Sequence, residues 1–131
     1  MCVFCEIIAG NIPGSVVYED QEVIAILDLA QVTKGHTLVM PKKHFDNIYD
    51  CDPETLKHVI EVTQKLSIEL TGKLKAKGCN ILNNNNEVAG QSVRHLHFHI
   101  IPRYSELDGF DPAFHPVYKY ELADVLKEIK D

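Results

Sequence analysis

Three histidines occupy every second position of the segment QSVRHLHFHIIPR, residues 91–103. His95, His97 and His99 alternate with Leu96 and Phe98, and such alternation indicates a β-strand, whose successive side chains point to opposite faces. The segment is therefore predicted to be a half-buried strand with a row of imidazoles on its open face. A neutral imidazole is a nucleophile toward phosphorus, and a protonated one donates to phosphate oxygens.

Two other interpretations of this row stay open from the residues alone. The three rings could be solvated or hydrogen-bonded surface groups, although chance rarely aligns three. They could also bind zinc together, as in enzymes that use three histidine ligands. Nucleophilic phosphate chemistry is favoured once the rest of the sequence is considered.

Four residues outside the triad segment are also candidates for chemistry. His36 follows Lys34 and Gly35, in a position where a lone histidine is more often structural. Asp28 is a carboxylate at the end of an apolar segment, where it would ordinarily start a turn. Cys2 and Cys5 form a Cys-x-x-Cys pair, which alone is a weak signal. The sequence has no Gly-rich phosphate loop, so any phosphate must be bound by the histidines and local backbone.

Composition limits the classes of partner. The 131 residues suit one compact domain, residues 1–131, with 45% apolar and 24% charged residues. The formal net charge of -6 argues against broad binding to nucleic-acid polymers or anionic membranes. A single small phosphorylated ligand needs only a local pocket and stays compatible with this charge.

The sequence also predicts a cytoplasmic protein. No apolar run reaches the roughly 18 residues of a membrane helix. The N-terminal segment has no basic region and carries Glu6 early, which makes it a poor signal peptide. In the cytoplasm its four cysteines would stay reduced.

The pattern of elements predicts an α+β fold. CEIIAG indicates a short N-terminal helix, and SVVYE, VIAILDL and KGHTLVMP indicate three strands. Asp52 and Pro53 mark the start of a long amphipathic helix ending near Gly78. CNILNN and the triad segment supply two more strands, and ELADVLKEIK a C-terminal helix. We expect a five-stranded, mostly antiparallel sheet with the helices on one side.

Several segments together resemble a known family. HLHFHII fits the histidine triad (HIT) pattern of three histidines alternating with apolar residues. FCEIIAGNIPGSVVYED, AILDLAQVTKGHTLVMPKKH and AGQSVRHLHFHIIPR resemble the corresponding segments of its bacterial members with an N-terminal Cys-x-x-Cys. The likeness spans roughly residues 3–103, in the family's order and spacing.

The resemblance implies an enzyme acting at the α-phosphate of nucleotides, a hydrolase or transferase. His97 would attack phosphorus and form a nucleotidyl-imidazole intermediate that water hydrolyses. His99 would bind a nonbridging phosphate oxygen, and His36 would brace the arrangement. Ser92 would add a hydrogen-bond donor near the leaving group. Gln91 would assist Ser92 in that role.

The resemblance also assigns the nucleoside-binding residues. Asp28 would accept hydrogen bonds from the ribose, and Asn84 would contact the sugar and phosphate region. The walls of the base pocket would be apolar side chains that composition alone would assign to the core: Phe4, Ile7, Ile26 and Leu29.

Some family members with the cysteine pair bind zinc, and the matching ligands here are Cys2, Cys5, His44 and His95. Two thiolates and two imidazoles make a closed tetrahedral site of the structural type. In this interpretation His95 is structural, while His97 and His99 serve the chemistry.

The resemblance further implies a homodimer, with the long helix and a strand at the interface. A rival hypothesis is a nucleotide- or zinc-binding module whose turnover is incidental, and a narrower one is nucleotidyl transfer to an acceptor other than water. His58 is predicted to be solvent-exposed, and His115 has no predicted partner. Residues 104–118 would form a loop over the site or a subunit contact.

Overall fold

The structure is a computed structural model that describes residues 2–131. Five strands are present in this range: β1 Val16–Glu19, β2 Val23–Leu27, β3 Thr37–Pro41, β4 Gly78–Leu82 and β5 Phe98–Arg103. The helices are α1 Val3–Ile8, α2 Pro53–Lys73 and α3 Leu122–Lys130, with a 3₁₀ turn at Glu87–Ala89. No helix among these residues is long and apolar enough to span a membrane.

The strands form one sheet in the order β1-β2-β3-β5-β4, and every neighbouring pair is antiparallel. The α+β fold with a five-stranded antiparallel sheet, a long helix and two shorter helices is therefore confirmed. β5 lies between β3 and β4, so that His99 pairs with Leu38 on one side and Leu82 on the other. β4 is left as an open edge.

Apolar side chains cover both faces of the sheet. Val23 and Ala25 pack toward α2, whereas Ile24 and Ile26 belong to a second cluster that contains Phe4 of α1. Our expectation that the helices lie on one side is therefore wrong. The continuous apolar run of β2, rather than an alternating one, is the sequence signal of burial on two faces.

The long helix begins where the sequence predicted and ends earlier. The Asp52 carboxylate accepts from the backbone N–H of Thr55 and so caps the helix. The helix stops at Lys73 because Lys75 takes a left-handed conformation with φ of 58°. Thr63 lies on the buried face of α2 and donates its hydroxyl to the Val59 carbonyl at 2.7 Å. Ile60, although apolar, lies toward solvent and is 44% exposed.

The predicted strand over the whole triad segment is wrong in its first half. Regular pairing starts only at Phe98, and the chain before it is irregular. The alternation nevertheless persists, because Leu96 and Phe98 pack in the cluster facing α2. The imidazole row is more covered than predicted: His95 and His97 are 0% and 6% exposed, with Phe4 packed edge-on against both rings, whereas His99 is half-buried.

His58 is not a free surface histidine. Its Nε2 lies 2.8 Å from Oδ2 of Asp20, which links α2 to the turn between β1 and β2. Burial alone would raise the pKa of Asp20. Donors from the Glu22 backbone, Tyr18 and His58 outweigh burial and hold it well below its ordinary value. The same hydrogen bond raises the pKa of His58.

We predict that this contact makes stability depend on pH. The protonated His58 ring stabilises the fold below its ordinary pKa of about 6.5, and this contribution is lost as pH rises through the raised folded-state value. H58A should lower the free energy of unfolding by about 0.5–1 kcal/mol near pH 5.5 and by less near pH 9. Urea unfolding measures both, with the exposed His115 (H115A) as control; an equal loss at both pH values would contradict the prediction.

Candidate active site

The central imidazole of the triad is held by the chain that carries it. Nδ1 of His97 lies 2.7 Å from the carbonyl oxygen of His95, so Nδ1 carries the proton and donates it to that carbonyl. The Nε2 lone pair is then free, since a neutral imidazole has one donor and one acceptor nitrogen. Burial lowers the pKa of His97 below its ordinary value, which keeps the ring neutral at pH 7.

Two further histidines form a hydrogen-bonded relay beside it. The backbone N–H of Val32 donates to Nδ1 of His36 at 3.4 Å, which leaves the proton of His36 on Nε2. That Nε2–H donates to Nδ1 of His99 at 2.9 Å. His99 therefore carries its own proton on Nε2, and this nitrogen is a donor. Burial, reinforced by the neighbouring His97 and His36, lowers the pKa of His99 to about 4.

Asp28 starts a turn, as its position predicted. Its carboxylate also lies beside the hydrogen bond between His36 and His99. Its Oδ1 accepts from the backbone N–H of Ala30 at 2.8 Å, while Oδ2 lies 3.6 Å from Nε2 of His36. The carboxylate opposes the lowering of the pKa of His36 that burial causes. A negative group at this place also favours a proton on Nε2 of His36, in agreement with the relay.

The triad opens into a cleft of about 210 Å³. Its lining contains His97, His99, Asp28 and Ser92, together with the four predicted apolar wall residues Phe4, Ile7, Ile26 and Leu29. Leu29 is fully exposed at the rim, whereas Phe4 and Ile26 are buried. The cleft thus joins an apolar surface to a row of nitrogen groups.

A second groove of about 520 Å³ adjoins the cleft. Val3, Ser92 and Val93 line both spaces, and Asp46 and Arg94 line the groove alone. Ser92 is exposed at the boundary between the two. A molecule bound in the cleft can therefore extend past this hydroxyl into the groove.

Beside the triad, Cys2, Cys5, His44 and His95 form a cluster whose ligand atoms lie within 4.8 Å of one another. Nδ1 of His95 is 3.4 Å from Sγ of Cys2, and Nδ1 of His44 is 3.4 Å from Sγ of Cys5. Tetrahedral zinc with ordinary bond lengths would separate sulfur and nitrogen ligands by about 3.6 Å. The donor set and its spacing therefore fit zinc.

The two histidines of this cluster are also in the tautomer that a metal needs. His95 donates from Nε2 to the Pro41 carbonyl at 2.7 Å, and Nε2 of His44 lies 3.0 Å from Oδ1 of Asp46. Both Nδ1 lone pairs consequently face the thiols. Such second hydrogen bonds fix and orient metal-binding imidazoles.

Comparison with known proteins agrees with this geometry. A family model described as the HIT domain matches residues 9–106. The chain belongs to the histidine triad (HIT) family. An uncharacterized HIT-like protein, MJ0866 of Methanocaldococcus jannaschii, is 51% identical over 130 residues, which is 99% of each chain.

Solved HIT structures show the same fold. A HIT family protein from Bacillus anthracis superposes with a TM-score of 0.92 at 44% identity, covering 98% of this chain and 92% of that one. A Zn-bound histidine triad family protein from Mycobacterium smegmatis gives a TM-score of 0.77 at 35% identity, covering 98% and 95%. Membership of the HIT family supports a nucleotide-binding protein of the hydrolase or transferase type.

Like His36, the predicted site residues Gln91 and Asn84 lie outside the walls of the cleft. Gln91 is buried, and its amide donates to the carbonyls of Asp46 and Val93 and accepts from the Asn86 N–H. Asn84 donates to the Gly90 carbonyl at 3.3 Å. Both side chains therefore hold the loop that precedes the triad.

Sequence reasoning missed Asn83. Its amide donates to the carbonyl of His97 at 3.0 Å and so fixes the backbone at the centre of the triad. Four consecutive asparagines hide this role, because only the strand register distinguishes Asn83 from Asn84. The position directly after β4, which pairs with β5, is the signal that could have identified it.

We predict that Gln91 contributes mainly to stability. Q91A leaves three backbone groups without their partner in a buried place, so it should lower the free energy of unfolding by about 2 kcal/mol. The neighbouring S92A, which removes an exposed hydroxyl, should change it by less than about 0.5 kcal/mol. Urea unfolding compares the two variants; similar values would refute the assignment.

Proposed function

We propose that the protein is a nucleotide hydrolase that cleaves at the α-phosphate of a nucleoside phosphoramidate or a dinucleoside polyphosphate. The observation that carries the proposal is the 2.7 Å hydrogen bond from Nδ1 of His97 to the His95 carbonyl. It leaves the opposite nitrogen unprotonated on a buried, neutral ring that lines the cleft.

The reaction proceeds in two displacements on one imidazole. Nε2 of His97 attacks the α-phosphorus, and the bond to the leaving oxygen or nitrogen breaks. Ser92 supplies a proton to that leaving atom. A water molecule then attacks the nucleotidyl-histidine and breaks the bond between phosphorus and Nε2. The nucleoside monophosphate leaves, the proton lost by the water returns to Ser92, and His97 regains its neutral form. Two steps of this kind replace one more difficult displacement.

His99 is the donor to the charged phosphate. The relay from Val32 through His36 leaves a proton on Nε2 of His99 while the ring stays neutral. A fixed donor aimed at a nonbridging oxygen stabilises the charge that grows in the transition state, and one such donor is worth about 3 kcal/mol. His36 acts through His99 and is a positioning residue.

The remaining cleft residues hold the nucleoside. Phe4, Ile7, Ile26 and Leu29 offer apolar walls for a base. Within residues 2–131 no backbone N–H donates to Oδ2 of Asp28, and this oxygen accepts from the ribose hydroxyls while Oδ1 keeps the turn. The groove that contains Arg94 takes the leaving group, and Asn84 orders the loop beside the phosphate.

We predict that H97A abolishes turnover. The expected loss in kcat exceeds about a thousandfold, because the covalent route disappears. Its circular dichroism spectrum should match wild type, and H115A on the surface serves as control. Stopping the wild-type reaction with acid and recording the intact mass should show one added nucleotidyl group, absent from H97A. Tight nucleotide binding by wild type with neither adduct nor product would instead identify a binding module.

We propose zinc as a structural ion held by Cys2, Cys5, His44 and His95. The two short sulfur–nitrogen contacts and the fixed tautomers support this ligand set. The Zn-bound relative from Mycobacterium smegmatis adds to that support. Zinc there would join α1 to the triad segment, while the nucleotide chemistry requires no metal.

We predict about one zinc per chain by elemental analysis of protein purified without added metal. C5S should lose most of the zinc, because it removes one of two thiolate ligands. C51S, a cysteine outside the cluster, should retain it. Equal zinc in both variants would place the metal elsewhere.

We also propose a homodimer built on the β4 edge of the sheet. β4 has a neighbour on one side only, and its Ile81 is 51% exposed. Ile68 on the outer face of α2 is 69% exposed. An uncovered strand edge next to an apolar helix surface is a template for pairing with another chain.

A further inference from the structure

Arg94 is an exposed cation on the wall of the groove that receives the leaving group. It comes two positions after Ser92, and it lines the groove of about 520 Å³ but not the cleft. Cys2, His44 and Asp46 are the other ionisable residues of that wall. Any contact of Arg94 with substrate is therefore with the part that departs, and not with the nucleoside held in the cleft.

A buried amide orients the guanidinium of Arg94. Its Nη1 donates to Oδ1 of Asn86 at 3.4 Å, and the same oxygen accepts from Nδ2 of Asn47 at 3.2 Å. Asn47 is only 3% exposed, so the core fixes the position of this acceptor. The guanidinium is thereby held beside the loop that precedes the triad, although 55% of the side chain is exposed.

Most hydrogen-bond donors of Arg94 remain available. A guanidinium has five N–H donors. Among residues 2–131, Arg94 hydrogen-bonds to Asn86 alone, and its Nε lies 3.7 Å from Oδ2 of Asp46. That distance is too long for a hydrogen bond, and an exposed ion pair of this kind contributes little. A phosphate group, which binds a guanidinium through two parallel hydrogen bonds, is a stronger partner for Arg94 than Asp46 is.

Asp46 faces the same groove, but its carboxylate already has protein partners. Oδ1 lies 3.0 Å from Nε2 of His44 and accepts the proton of that ring, while Oδ2 faces Arg94. In the zinc site proposed above, the first contact also orients His44. A cationic leaving group would have to compete with both partners for Asp46, whereas an anionic one meets unused donors on Arg94. The groove therefore favours negative charge.

The size and polarity of the two spaces indicate a large, polar leaving group. The cleft that takes the nucleoside has a volume of about 210 Å³, and the groove beyond Ser92 has about 520 Å³. The aliphatic residues of the groove, Val3 and Val93, are shared with the cleft, and the groove is the more polar of the two. A volume of roughly 300–1,000 Å³ is typical of small-molecule sites. The groove thus suits a phosphorylated nucleoside better than an apolar amine.

We propose that Arg94 selects an anionic, phosphorylated leaving group, so that dinucleoside polyphosphates are preferred over phosphoramidates of neutral amines. The inference rests on the hydrolase proposed above and names its substrate class. As Nε2 of His97 bonds to the α-phosphorus, the electron pair of the breaking P–O bond passes to the bridging oxygen, which takes the Ser92 proton. Arg94 binds the remaining phosphate charge of the departing nucleoside polyphosphate.

The test compares two substrates that share the adenosine α-phosphate and differ in the leaving group. Diadenosine tetraphosphate releases a nucleoside polyphosphate, and adenosine phosphoramidate releases ammonia. R94Q should lower kcat/KM for diadenosine tetraphosphate by about tenfold or more, because a charged two-point contact is lost, and change that for the phosphoramidate by less than about twofold. R94K keeps the charge without the planar fork and should recover part of the loss.

K57Q is the matched control, because it removes the same charge on α2, outside the lining of the groove. It should leave both kcat/KM values unchanged. An equal loss for both substrates in R94Q would assign Arg94 a structural role and overturn the proposal. An unchanged ratio of the two kcat/KM values, or the same change of ratio in K57Q, would also overturn it.

Equilibrium binding separates this inference from the hydrolase itself. In the H97A chain, adding R94Q should weaken binding of diadenosine tetraphosphate by about fivefold or more and leave that of adenosine monophosphate within about twofold, as measured by titration calorimetry. That result, with no turnover of either substrate by wild type, would overturn the hydrolase and keep the selective groove. Turnover by wild type, with equal binding of diadenosine tetraphosphate by H97A and the double variant, would overturn the groove and keep the hydrolase.

Discussion

The geometry of the site depends on a hydrogen bond between near neighbours, from the His97 ring to the His95 carbonyl. This bond requires the backbone to turn its carbonyl toward a side chain two residues later, which regular strand pairing would not allow. The irregular stretch before Phe98 is the consequence. Asn83 fixes the next carbonyl of the triad and Leu96 is tied to the Phe45 carbonyl at 2.7 Å.

The three triad imidazoles differ because each has a different second partner. His95 donates to Pro41 and turns its lone pair to the thiols, whereas His97 donates to its own segment and faces the cleft. His99 accepts from His36 and keeps a proton to give. Identical side chains thus acquire three protonation patterns from neighbouring acceptors and donors, since the partner of one ring nitrogen determines the state of the other.

The sequence predicted the helices and strands well where they depend on short-range patterns, such as helix capping and the alternation of apolar residues. Asp52 and Pro53 marked the start of α2, and alternation identified which side of the triad segment packs on the core. Local rules could not predict contacts between distant segments. His58 and Asp20 are 38 positions apart, and Phe4 covers the triad from the opposite end of the chain. The cleft residues were predicted through family likeness, because composition would have placed Ile26 and Phe4 in an ordinary core.

The short helix α1 contacts both the cluster of cysteines and histidines and the cleft that contains His97. This six-residue helix carries Phe4 against the ring of His97, and it is capped by Cys2, whose sulfur accepts from the Cys5 N–H. So short a helix keeps its position only through such side-chain contacts. Loss of the Cys2 and Cys5 sulfur atoms would remove this cap and weaken the helix that carries Phe4, so solvent would reach the central imidazole more easily. Hydration of the ring would oppose the lowering of its pKa by burial, so protonation would inactivate the nucleophile at a less acidic pH than in the covered site.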